Sequence, residues 1–318
     1  MRTPDLRPLV SVIIPCHNRA HALGAAVKSV IACGARAQIV IVDDGSTDQT
    51  AAVARGLDVL LVKQSKRGTA AARNRGLQAS TGQFVIFLDP DDRLLPGGID
   101  IGVRALLSRP GCPMAYGRGM VTGLGGATLV ESEAPMVRSG HHAALLQMNL
   151  VWMSALAIFE RGALERAGGF AEDLDAASDY DLYLRLSREA PLVDHGRQVA
   201  TRSGHGRPAD QTERLFRDTL AVMRRHCPEH HTPLHSAWCE GYARWQELYG
   251  SRLCDEIRQH LRVHAFAPAW HKAFVLLSLA PAVFVRTLGQ RRRTGIVQRV
   301  ENSIAVPPPA SNVPSSAI

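Results

Sequence analysis

Val10-Ser11-Val12-Ile13-Ile14 runs into Pro15-Cys16-His17-Asn18-Arg19, a short apolar stretch that ends abruptly in polar side chains. A β-branched run of this length, bounded by turn residues, reads as a strand buried on both faces. The pattern returns at Ile39-Val40-Ile41-Val42, closed by Asp43-Asp44-Gly45-Ser46, and at Val59-Leu60-Leu61-Val62. It returns again at Phe84-Val85-Ile86-Phe87-Leu88, closed by Asp89-Pro90-Asp91-Asp92. Helical segments separate the four runs: 20–33, with Leu23, Val27, Val30 and Ile31 at helical spacing, then 47–55, then the Ala-rich 68–79. This alternation predicts an α/β fold, a Rossmann-like, mostly parallel sheet flanked by helices, whose ligands bind outside the carboxyl ends of the strands.

Beyond residue 110 the pattern is less regular, with a Gly-rich stretch from Gly117 to Gly126. It recovers with the apolar segment 154–159, a helix over 161–167, a Gly168-Gly169-Phe170 turn and a helix from Asp179. Residues 210–226 and 235–263 read as helices, so a helical C-terminal extension follows the sheet. The resulting division is 1–205 for the α/β domain (9–110 and 111–205 as its halves), 206–300 helical, and a Pro/Ser/Ala-rich tail over 301–318 that reads as disordered.

The chain of 318 residues is 46% hydrophobic and 21% charged, with 37 Lys and Arg against 29 Asp and Glu, a formal charge of +8. Arg makes up 33 of the 37 cations, a bias that suits phosphorylated ligands or anionic membranes. Six Cys are scattered without a C-x-x-C pair, so neither a zinc ribbon nor a disulfide scaffold is indicated. They read as free thiols in a reducing compartment, and the N-terminus does not read as a secretory signal. Walker, dinucleotide-binding and nucleophile-elbow signatures are missing, which disfavours an NTPase, a dinucleotide oxidoreductase and an α/β-hydrolase. Aromatics at 5% without an interleaved basic stripe argue against single-strand nucleic-acid binding.

Four clusters could carry chemistry. Asp89-Pro90-Asp91-Asp92 places carboxylates at a strand end, where they can share Mg²⁺ or Mn²⁺ with a diphosphate; the plain structural alternative is a polar turn. In Asp43-Asp44-Gly45-Ser46-Thr47-Asp48, Ser46 and Gln49 fit a capping box, and one Asp could accept a ring N–H from a nucleobase. Arg73, in the helix after the third strand, could meet a phosphate or a base. Ser178 and Asp181 fit a second capping box, which leaves Asp179 at the first helical position, an ionised carboxylate suited to act as a general base.

Taken together, Val10–Arg19, Ile39–Asp48, Gly68–Leu77, Phe84–Asp92, Gly168–Glu172 and Ser178–Leu186 resemble the family 2 glycosyltransferases of the GT-A fold. The resemblance covers residues 9 to about 190 and implies inverting, metal-dependent sugar transfer from a nucleotide-diphosphate sugar to an acceptor hydroxyl, in cell-surface glycan or polysaccharide biosynthesis. It implies that Pro15, His17, Asn18, Arg19 and Arg73 belong to the nucleotide-sugar pocket, that Asp44 meets the base, Asp89 the ribose and Asp91 a divalent cation, and that Asp179 is the catalytic base. Ser178 stands where many relatives carry Glu. Processive synthases of the family carry Gln-x-x-Arg-Trp; here Arg244-Trp245 is preceded by Gly241, so single-residue addition is expected. The alternative is a non-catalytic nucleotide-sugar-binding scaffold.

Ala273–Val285 is thirteen residues long, apolar except for Ser278 and broken by Pro281. It is too short to span a bilayer, which takes about 20 apolar residues. Two readings stand side by side: an interfacial helix, with Arg286 and Arg291–Arg293 meeting anionic headgroups, or a helix packed on the domain. The expected location is cytoplasmic, and the first reading adds peripheral contact with the inner face of the plasma membrane and favours a lipid-linked glycan acceptor.

Overall fold

The computed structural model describes residues 9–34, 36–123, 128–131, 136–174, 176–203 and 211–289. The readings made for Arg291–Arg293 and for the 301–318 tail lie outside these residues. β1 (Val10–Cys16), α1 (Ala20–Ala32), β2 (Ala37–Asp44), α2 (Thr50–Arg55), β3 (Leu60–Gln64), α3 (Thr69–Ala79) and β4 (Phe84–Phe87) follow the expected alternation. Then come β5 (Asp92–Leu94), α4 (Gly98–Leu107), β6 (Met114–Thr122), β7 (Thr128–Glu131), α5 (His141–Gln147), β8 (Ala157–Glu160), α6 (Arg161–Arg166), α7 (Ser178–Glu189) and β9 (Val193–Ser203). Four helices close the described chain: α8 (Gln211–Arg225), α9 (Pro233–Arg262), α10 (Phe266–Leu279) and α11 (Pro281–Gly289).

Among the described residues the strands form one sheet in the order β3-β2-β1-β4-β8-β6-β9-β5, with β7 on β6. β3, β2, β1 and β4 are mutually parallel. The continuous apolar runs of β1, β2 and β4 follow from this, because those strands are buried on both faces, whereas β3 is a partly exposed edge strand with Leu60 42% exposed. The second half is mixed. β8 runs antiparallel to β4 and β6, β9 lies parallel to β6, and β5 pairs antiparallel with β9. β1 has β2 on one side and β4 on the other, so the chain order reverses beside it and opens a crevice at the strands' carboxyl ends. α3 lies directly on this region: a Cβ at Gly76 would collide with Ile13 of β1 and crowd Val42 of β2.

Neither capping box forms. α2 begins at Thr50, and its first amide is met by Asp48 Oδ1 at 2.9 Å. Ser46 Oγ instead accepts the Asn18 N–H at 3.0 Å, a tertiary partner from the neighbouring loop. α7 begins at Ser178 with Ala177 as its N-cap, so Asp179 is the second helical residue. Ser178 Oγ is buried and meets no hydrogen-bond partner among the described residues. Asp181 turns inward to Arg185 Nε at 2.8 Å, His226 Nε2 at 3.0 Å and Arg225 Nη1 at 3.5 Å, tying α7 to the end of α8. Charged partners outbid a backbone amide for a fully buried carboxylate.

The C-terminal helices pack on this frame. Gly241 lets α9 approach α5, since any Cβ there would strike the Leu146 carbonyl. Trp245 is buried between Tyr180 and Tyr249. α10 rests on α9 through Ala269, Lys272, Val275 and Leu276 and stops before Pro281, which opens α11. No helix among the described residues is long and apolar enough to cross a membrane.

Two outcomes follow from this packing. Gly76→Ala raises intrinsic helix propensity by up to about 1 kcal/mol, yet overpacking typically costs about 1–3 kcal/mol; urea denaturation is expected to show net destabilisation. Burial alone would raise the Asp181 carboxyl, but His226 and Arg185 hold it below the ordinary carboxylate range. Its stabilising contribution is therefore present above the unfolded value near pH 4 and is lost as pH falls through the lower folded one. Asp181→Asn is expected to cost about 3 kcal/mol at neutral pH, with the gap to wild type closing in acid.

Candidate active site

The carboxyl ends of β1 and β2 are laced together. Asn18 adopts φ +53° and its Oδ1 accepts the N–H groups of Thr47 at 2.8 Å and Asp48 at 3.3 Å. His17 Nδ1 donates to the Asp44 carbonyl at 2.9 Å, and Arg19 N–H to Thr50 Oγ1 at 2.9 Å. Pro15 stays inside β1, buried opposite Val42. Asp44 turns to the loop after β3: Oδ1 accepts from Gln64 Nε2 and Arg67 N, both at 2.8 Å, and Oδ2 accepts from Gly68 N at 2.9 Å. Its side chain thus secures the start of α3, and a base would have to share oxygens already engaged. Asp43, buried beside it, accepts the Ser46 N–H at 3.0 Å. Burial, with the Asp43, Asp89 and Asp91 carboxylates nearby, pushes the Cys16 thiol well up. Raised this far, Cys16 is a protonated packing residue, unsuited to act as a nucleophile.

In the Asp89-to-Asp92 turn, closed by Asp92 N–H to Asp89 O at 2.9 Å, Asp89 and Asp92 both face Arg202 while Asp91 turns to Arg19. Asp89 pairs with Arg73 Nη2 at 3.0 Å and lies 3.6 Å from Arg202 Nη2. Asp91, half exposed, meets Arg19 Nε at 3.2 Å, with His21 at 4.0 Å. Asp92 is fully buried in a two-pronged pair with Arg202, Nε to Oδ1 at 2.8 Å and Nη2 to Oδ2 at 2.9 Å.

Asp179 comes to the same place from α7. Its Oδ1 accepts the Tyr180 N–H at 2.8 Å. Burial would lower the pKa values of Arg73 and Arg202, but both are raised: Asp89 and Asp179 act on Arg73, while Asp92, Asp89 and Asp179 act on Arg202. Both guanidiniums therefore stay charged, and Asp89 and Asp179 converge on them. Arg73 also donates to Ser154 Oγ at 2.7 Å and lies over the Phe170 ring at 5.2 Å; Arg202 lies over Trp152 at 5.6 Å. Tyr183, one turn after Asp179, is buried, and burial together with Asp179 drives its hydroxyl well up, so it stays protonated.

The Gly168-Gly169-Phe170 turn is clamped from both sides. Asn74 exchanges hydrogen bonds with Phe170, Nδ2 to O at 2.9 Å and N to Oδ1 at 2.8 Å, and Arg185 Nη2 donates to the Gly169 carbonyl at 2.8 Å. An open recess of about 670 Å³ lies behind this turn, lined by Asn74, Gln78, Arg161 and Glu165, and includes none of the strand-end carboxylates.

Reading the sequence missed Arg202, Ser154, Trp152 and Tyr183. Tyr183 carried a signal, the i, i+4 spacing from Asp179. Arg202 carried none, because only the antiparallel β5–β9 register sets it opposite Asp92. Among the described residues no group of three or more His, Cys, Asp or Glu is arranged to hold a metal ion.

Residues 11–125 match the family model described as glycosyl transferase family 2. The uncharacterized protein MT1568 of Mycobacterium tuberculosis is 29% identical over 210 residues, 57% of this chain and 62% of that protein. A GalNAc(5)-diNAcBac-PP-undecaprenol beta-1,3-glucosyltransferase of Campylobacter jejuni is 36% identical over 100 residues, 29% of this chain and 32% of its own. The chain thus spans less than two thirds of either relative. The solved mannosyltransferase PcManGT of Pyrobaculum calidifontis, in complex with GDP-Man and Mn²⁺, superimposes with a TM-score of 0.59 at 18% identity, covering 91% of this chain and 89% of that one. Residues 11–125, which include the strands that build the crevice, thus match glycosyl transferase family 2, and the chain shares the GT-A fold of the solved transferase.

Proposed function

We propose that this protein transfers a sugar from a nucleoside-diphosphate donor to an acceptor hydroxyl, with inversion at the anomeric carbon. The observation that carries the reading is that two charged arginines, the buried Arg73 and the partly buried Arg202, lie 3.0 and 3.6 Å from Asp89, with Asp179 acting on both. Such a pair can steady a diphosphate, while a carboxylate beside it can take a proton.

In this reading Asp179 accepts the proton of the acceptor hydroxyl as that oxygen attacks the anomeric carbon from the face opposite the leaving group. The Tyr180 N–H on Oδ1 fixes the carboxylate's orientation, and the first turn of α7 surrounds it with partial positive charge. His17, Asn18 and Arg19 shape the nucleotide pocket at the β1 end, with Pro15 behind them in the strand. Asp44 serves the base by holding the Arg67-Gly68 loop, Asp89 faces the ribose, and Arg73 the phosphates. The donor set suits a divalent cation: Asp91 is a half-exposed hard-oxygen ligand, and Mg²⁺ or Mn²⁺ takes only one or two carboxylates when phosphates supply the rest. Bound there, the ion supplies neutralisation of charge on the departing diphosphate. The Campylobacter relative is named for an undecaprenol-linked glycan, and a lipid-linked glycan is the acceptor class proposed here.

Asp179→Asn is expected to keep nucleotide-induced thermal stabilisation while transfer falls by about 10²–10⁴-fold. Transfer at the wild-type rate would remove Asp179 from the mechanism. Nucleoside diphosphates should raise the melting temperature more with Mn²⁺ than with a chelator, and Asp91→Asn should abolish that difference. An undiminished Mn²⁺ effect in the variant would place the ion elsewhere.

A further inference from the structure

We propose that the outward face of α10 docks on an anionic lipid surface. Phe266, Trp270, Phe274 and Leu277 are 56%, 75%, 71% and 48% exposed, and their spacing sets them in one stripe along the helix, opposite the face that rests on α9. Leu261, Val263 and Val285 are exposed in the flanking segments. Seven of the thirteen large apolar side chains exposed among the described residues thus fall within 261–285, whereas the other six lie singly along the chain. Scattered exposed apolar residues need no explanation; a continuous aromatic stripe on a monomer marks a contact surface.

Charge selects the occupant. Residues 257–300 contain eight of the chain's 37 Lys and Arg and none of its 29 Asp and Glu, so the whole formal charge of +8 resides in that stretch. Three of those cations pair with carboxylates of α9, Arg258 with Asp255, Lys272 with Glu256 and Arg286 with Glu247, and Glu213 of α8 meets Arg217 and His271. A second copy would press one basic segment against another. A bilayer with anionic headgroups offers both an apolar layer for Trp270 and the phenylalanines and opposite charge for the basic stretch of sequence that contains them. α10 has 14 residues, so it lies along the interface and does not span it. This surface stands apart from the carboxylate site, and its test needs no turnover, so its failure leaves the transfer reading untouched.

The test is co-sedimentation of the full chain with phosphatidylcholine vesicles, with and without phosphatidylglycerol. Binding is expected only with phosphatidylglycerol and should weaken as salt rises. Trp270 is the most exposed of the four tryptophans, so its emission should shift to the blue on binding. Trp270→Ser with Phe274→Ser should weaken vesicle affinity by at least ~10-fold with unchanged circular dichroism, since apolar burial supplies much of interfacial binding. Absence of binding, or equal binding by the variant, would overturn the proposal. So would a concentration-dependent dimer that the same substitutions dissociate while vesicles go unbound.

Discussion

The carboxylate of Asp89 lies between two guanidiniums, that of the buried Arg73 of α3 and that of the partly buried Arg202 of β9. Charges removed from water are stable only when matched, and stripping one partner from such a group typically costs about 3–5 kcal/mol. Asp92 completes the match by gripping Arg202 with both oxygens, and Asp179 adds its field to both arginines. Four elements from distant parts of the chain are thereby held to one electrostatic arrangement. The parallel half of the sheet supplies Asp89 and the mixed half supplies Arg202, so the two halves meet in this cluster. A site assembled this way is charged and oriented before any ligand arrives, and preorganisation of this kind is what makes charge stabilisation effective.

A second constraint sets where α7 begins. Asn74 and Arg185 hold the Gly168-Gly169-Phe170 turn from opposite sides, and Phe170 lies under the Arg73 guanidinium. Asp181 then binds Arg185, Arg225 and His226, fastening α7 to α8. Three sequence motifs that look separate along the chain are one mechanical unit in space. That unit sets the start of α7, and Asp179, in its first turn, accepts the Tyr180 N–H there. The C-terminal helices extend the same logic outward. α9 backs α5 and α7, and α10 is held by α9 with its aromatic side left to the exterior.

Much of the α/β half could be read directly. The runs at Val10, Ile39 and Phe84 are unbroken because their strands are covered on both faces, and Gly76 and the alanines around it announce a helix pressed against that sheet. Local rules failed where a tertiary partner competed with a backbone amide. Ser46 went to Asn18 and Asp181 to Arg185, Arg225 and His226, and both expected capping boxes vanished. The apolar segment around 273–285 carried two readings because hydropathy has no direction. The helix does pack on its neighbour, and it also shows an apolar face outward, which only the position of α9 could reveal.

The sequence alone determined the residue types at the strand ends, the alternation that makes a parallel sheet, and the family resemblance those motifs carry, because each depends on neighbours within a few residues. The tertiary structure alone decided which carboxylates face the site. Adjacent Asp43 and Asp44 turn to different partners, and from a single turn Asp89 and Asp92 meet Arg202 while Asp91 meets Arg19. It also brought in Arg202, 110 residues after Asp92, through strand register. Pairing across a sheet follows from how whole strands bury their faces together, a condition that no short stretch of chain contains.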